Sequence, residues 1–139
     1  MRTLPAALAL LLLSGCAARR PPPPPATPPA AEEAQRILGV PLAQTVGSQE
    51  ALRIQAMAEV NGLLRHCRLR WEGYFGRMTL QQRDDLGRSD AEMQRIAVWH
   101  GYWLRAAERE ADRERTECTG AFQLSLRERA EALLRASPR

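Results

Sequence analysis

Apolar residues in the second half of this chain recur at helical spacing. From Met57 they fall at Val60, Leu64, Cys67, Trp71, Tyr74 and Met78. Alternating steps of three and four put them in one seam along a helix. Ile54, Leu63 and Phe75 widen the seam into a core-facing stripe. Arg65, Arg68, Arg70 and Glu72 fall mostly on other faces. The spacing predicts one long helix from Ser48, an N-cap residue type, to about Met78. Gly73 and Gly76 weaken its end. Thr79-Leu80-Gln81-Gln82 and Ser89-Asp90-Ala91-Glu92 both have the form of a capping box. They predict a short helix over 80–86 and a long one from residue 90. The stripe of the long one is Met93, Ile96, Ala97, Trp99, His100, Trp103, Leu104 and Ala107. Past Arg105 its surface is acid and arginine, with Glu110 and Arg113 three apart, and Asp112 and Arg115 likewise. Gly120 is expected to break it. A last helix is expected from Ser125, carrying Leu133 and Leu134.

Before this pattern, Ala31 to Leu38 reads as a short helix stopped by Gly39 and Pro41, and Val40 to Gly47 as a loop. Residues 31–47 are thus a lead-in and 48–139 the helical domain. No strand pattern competes. The expected fold is all-α: a helical hairpin or a small three-to-four-helix bundle of about 95 residues. A core that small is marginal without further support.

The N-terminal thirty residues have a different character. Arg2 precedes an uncharged apolar run, Leu4 to Leu13. That is too short for a comfortable bilayer span, which needs about 20 residues, and it has the length of a secretory h-region. It ends in Leu13-Ser14-Gly15-Cys16. This resembles the lipobox of bacterial lipoproteins. The resemblance implies a signal peptide over 1–15, cut before Cys16. It also implies diacylglycerol on the Cys16 sulfur and an acyl chain on the freed amino group. Cysteine is required because a thiolate is alkylated, and more than one chain is required for a stable anchor. Ala17 stands where an aspartate often retains such proteins in the inner membrane. The resemblance therefore implies the outer membrane, facing the periplasm, ahead of the inner membrane or the cell surface.

Residues 16–30 read as the lipidated cysteine and a linker. Pro21 to Pro25, Pro28 and Pro29 exclude helix and sheet core. They suit a polyproline II spacer, about 28 Å for nine residues at about 3.1 Å each. Arg19 and Arg20 would sit at the headgroups.

Composition narrows the chemistry. The formal net charge of +4 falls by one, to +3, when Arg2 leaves with the signal peptide. Every basic residue apart from the two histidines is arginine, and no lysine is present. That excludes a lysine nucleophile or Schiff base. Attachment to peptidoglycan through a terminal lysine is likewise not expected, with Ala136-Ser137-Pro138-Arg139 at the end. The arginines alternate with acids, so nucleic acid is not an expected partner.

Cys67 and Cys118 are an even pair in an oxidising compartment, which favours a disulfide. A simple hairpin turning near Gln82 would set Cys67 opposite Val98 and leave Cys118 about 30 Å away. A bridge needs Cα atoms within about 7 Å. The chain must therefore reverse once more, with Gly101 as a candidate break, or the bond joins two molecules. Cys67 and Cys118 with His66 and His100 have the composition of a zinc set. His66 and Cys67 are adjacent, however, and point about 100° apart on a helix, so no metal site is expected. His100 reads as a packed histidine. Asp84 and Asp85 read as solvated, whereas paired-carboxylate hydrolysis needs a cleft. No nucleophile-elbow, phosphate-loop, dinucleotide or haem-attachment motif occurs.

No catalytic residues and no cofactor beyond the lipid on Cys16 are expected, and the chain does not read as an enzyme. Trp71, Tyr74, Phe75, Trp99, Tyr102 and Trp103 occupy segments that should pack together. The plain reading of the cluster is core, but Trp99, Tyr102 and Trp103 span too wide an arc to face one partner helix, so one or more should be exposed and these three are the candidate interaction surface. The leading expectation is a non-catalytic interaction or structural module of the cell envelope. It would bind lipid through Cys16 and either an envelope protein or itself. The alternative is a ligand-binding module for peptidoglycan or an apolar small molecule, and the third is an enzyme.

Overall fold

A computed structural model describes residues 31–136 of the chain. The lipobox, Cys16 and the proline run lie outside the described residues. Six α-helices follow one another: α1 (Ala31–Leu38), α2 (Ala43–Val46), α3 (Ser48–His66), α4 (Glu72–Leu80), α5 (Asp90–Glu114) and α6 (Gly120–Arg135). A π turn over Gln81–Asp85 extends α4 without a break. No strand occurs among the described residues. The all-α bundle read from the sequence is the observed fold. None of the described helices is long and apolar enough to cross a membrane.

The single helix expected from 48 to 78 is two helices. α3 stops at His66, and Arg68 takes a left-handed conformation at φ 56°. The amides of Arg68 and Leu69 close onto the carbonyls of Arg65 and Leu64, a Schellman-type end in which arginine stands where glycine is usual. Folding back there lets both halves of the seam face one interior. Met57, Val60 and Leu64 enter it from α3 and Met78 from α4, all fully buried. Ile54, Ile96, Leu126, Ala130 and Leu134 complete it.

This corner sets the topology. α3 rises, α4 with the π turn descends, α5 rises and α6 descends. α3 and α5 are therefore parallel. Arg65 meets Glu108 at 3.1 Å near one end, and Arg88 reaches the Val46 carbonyl at 3.2 Å at the other. α5 runs unbroken through Gly101, so the additional reversal comes at 67–71 and not at Gly101.

Local signals fix the remaining boundaries. Ser89 caps α5 as a full capping box with Glu92. Thr79 does not cap: its hydroxyl donates to the Gly76 carbonyl at 2.8 Å inside α4. The expected separate helix over 80–86 is accordingly the tail of α4. Gly47 (φ 88°) precedes α3, so Ser48 is its first residue and not its cap. Thr119 accepts the Phe122 amide and starts α6 at Gly120, five residues before the expected Ser125. The lead-in is part of the bundle: α2 lies within the expected loop, and Leu42 and Val46 are buried in the core.

α3 and α5 approach closely at Gly62. A Cβ on Gly62 would lie 2.4 Å from the Leu104 carbonyl oxygen and 2.9 Å from the Ala107 Cβ. Ala58 and Gly62 on α3, with Ala107 and Ala111 on α5, form two small-residue rows at i, i+4. At the foot of the bundle a buried polar knot joins three elements. Arg53 pairs with Glu50 at 2.6 Å and donates to the Leu133 carbonyl at 3.0 Å. Gln81 donates to the Leu134 carbonyl at 2.9 Å, and Gln82 to Glu50. The last carbonyls of α6, which have no partner within that helix, are satisfied this way.

Candidate functional site

Five of the aromatic residues of α4 and α5 and the approach to α4 fall into two groups. Trp71 and Phe75, on α4 and its approach, pack on His100, with ring centroids 6.2 and 4.4 Å from the imidazole. His100 is buried, and its Nε2 lies 3.0 Å from the buried Asn61 amide nitrogen. Burial pushes its pKa down to about 4, so it is neutral near pH 7. This is the packed histidine expected. Asn61, its partner, carried no signal in the sequence beyond being a polar residue beside the α3 seam.

Trp99, Tyr102 and Trp103 lie on a different face of α5. Trp99 and Trp103 pack with ring centroids 4.8 Å apart and planes tilted by 33°, and Tyr102 meets Trp99 edge-on at 5.7 Å. The Trp99 indole donates to the Val40 carbonyl at 3.1 Å, which ties the α1–α2 connection to α5. Trp99 and Trp103 are half-buried and Tyr102 is 45% exposed. The two tryptophans wall an apolar groove of about 300 Å³ with Pro41, Leu42, Ala51 and Leu52. Leu52 is 66% exposed at its rim. The three residues expected to form one surface are thus brought together. The groove's other wall joins Pro41 and Leu42 of the lead-in to Ala51 and Leu52 at the start of α3; the lead-in's share of it was hidden by its reading as a loop.

The second cluster is at the opposite end of α3. Cys67 and Cys118 form a disulfide within the chain, their Cα atoms 5.5 Å apart. Because α3 and α5 are parallel, their C-terminal ends lie together, and the two cysteines follow those ends. His66 joins them. Its Nε2 lies 2.9 Å from the Thr116 carbonyl and its Nδ1 2.7 Å from Asp112. The Thr116 carbonyl, and after it Asp112, raise its pKa. Ligand atoms of His66, Cys67 and Cys118 all lie within 4.8 Å of one another. The divergence expected of adjacent positions fails because Cys67 is already the helix cap, with φ −78° and ψ 9°. His100 is elsewhere, so the four-residue set does not assemble.

Asp84 and Asp85 are exposed in the π turn, as expected. Asp112 pairs with His66 instead of Arg115, which has left the helix at φ 54°. Glu110 and Arg113 do pair. No protein-family model matches this chain, and neither does any curated protein or solved structure.

Proposed function

We propose that this chain is a lipid-anchored protein of the cell envelope whose helical bundle is a non-catalytic interaction module. Lipid on Cys16 would hold it at the outer membrane, facing the periplasm. The observation that carries the interaction role is the Trp99, Tyr102 and Trp103 cluster beside an open apolar groove. Clustered tryptophan and tyrosine side chains that keep water contact are among the residue types that dominate protein interfaces. A photo-crosslinking side chain at position 102, in intact cells, should give a discrete protein adduct. The same group at Glu128, on exposed α6 surface, should give none. Equal labelling from both positions, or none from 102, would contradict this reading.

A second reading is favoured by the lining of the groove, which is mostly apolar. An apolar small molecule would then occupy it. Saturable quenching of tryptophan fluorescence by such a ligand, lost in Trp103→Ala, would support that reading over the first.

A further inference from the structure

We propose that His66, Cys67 and Cys118 become a zinc site when the Cys67–Cys118 disulfide is reduced. One imidazole and two sulfur atoms are already gathered within 4.8 Å, and zinc takes this donor set tetrahedrally. The backbone supplies the placement: Cys67 caps α3, and Cys118 lies just beyond the end of the parallel α5. All three side chains are half-buried, so a reductant and an ion can both reach them. Asp112 on His66 Nδ1 is the second independent feature. A carboxylate on one imidazole nitrogen fixes the ring and leaves the other nitrogen for the metal. His66 Nε2 would exchange the Thr116 carbonyl for the ion.

A dithiol reductant gives two electrons and two protons to the Cys67–Cys118 bond and itself becomes a disulfide. The two new thiols lose their protons on binding Zn²⁺. Three protein ligands leave the fourth position to water or to a ligand from outside. The oxidised protein has no thiolate to offer and should not bind at this site. The bond thus gates the site.

The test titrates Co²⁺, a spectroscopic substitute for zinc, into the mature chain before and after treatment with a phosphine reductant. The phosphine takes oxygen from water as it reduces the disulfide. One equivalent of Co²⁺ should bind the reduced protein with thiolate-to-cobalt charge-transfer absorption, and the oxidised protein should show none. His66→Gln should weaken binding at least tenfold. Asp112→Asn should weaken it by about 10- to 100-fold. Circular dichroism follows the fold throughout. The charge-transfer absorption, with helix retained on reduction or regained when Co²⁺ is added, supports the site. Absence of the absorption in the reduced wild type overturns it, as does helix lost on reduction and not regained with Co²⁺. Absorption that survives unchanged in His66→Gln also overturns it, since two loose thiols would then account for the binding.

Discussion

His66 on α3 and His100 on α5 have their pKa values moved in opposite directions. An unfolded histidine binds its proton near pH 6.5. Buried His100 resists until about 4. As pH falls below 6.5 the unfolded state takes up the proton first, and stability drops by on the order of 3 kcal/mol by pH 4. His66, with its pKa raised by Thr116 and Asp112, contributes its full stabilisation below 6.5. That contribution fades as pH rises through its folded value. Stability measured by urea unfolding should therefore peak near pH 6.5. The acid limb begins above the ordinary carboxylate range, so it belongs to His100. His100→Gln should flatten it between pH 6.5 and 4.5. An unchanged acid limb in that variant would show that another group is responsible.

Between elements, the close approach of α3 and α5 rests on Gly62. Its missing Cβ admits the Leu104 carbonyl, which is backbone and cannot swing aside. Gly62→Ala should therefore separate the helices and cost about 3 kcal/mol, the upper part of the range for overpacking. Gly73→Ala, at an open position on α4, should stabilise by about 1 kcal/mol on helix propensity. Thermal melts of both variants check the contrast, and equal shifts would contradict it. The two glycines also show where sequence pattern stops. Gly73 and Gly76 were legible as weak points in a helix. Gly62 was not, because a glycine inside an apolar stripe carries no mark of the carbonyl that will meet it. The seam from Met57 to Met78 predicted Met57, Val60, Leu64 and Met78 as core, with Trp71 and Tyr74 packed at its edge; it placed Cys67 there too, which instead bonds to Cys118, and it gave one helix too few. Heptad spacing records which residues face the interior, and a corner that keeps both halves facing inward leaves the spacing unchanged. The Ser89–Glu92 box was legible because it is local. Thr79 failed because the same residue types occur inside a helix when the hydroxyl turns back to a carbonyl.

At the scale of the whole molecule, the corner at 67–71 decides what the cysteines do. An up-down-up path makes α3 and α5 parallel and brings their ends within one disulfide, 51 residues apart in sequence. In the chain-entropy view, closing a loop of that length stabilises by about 4 kcal/mol, a large share of the stability of a domain this size. The sequence pointed to the pair and not to the path between its members. The aromatic surface was legible for a similar reason: three residues on too wide an arc cannot all be core. The groove beside them was not, because its second wall needs Pro41 and Leu42, in a segment that reads as a loop, to pack beside Ala51 and Leu52 of α3.

The central claim is that this bundle works at a membrane through lipid on Cys16. Feeding cells labelled palmitate and isolating the protein tests it most directly. Label is expected on the wild-type protein and none on Cys16→Ser, with only the former in the membrane fraction. An unlabelled wild-type protein that fractionates like the Cys16→Ser variant would contradict it.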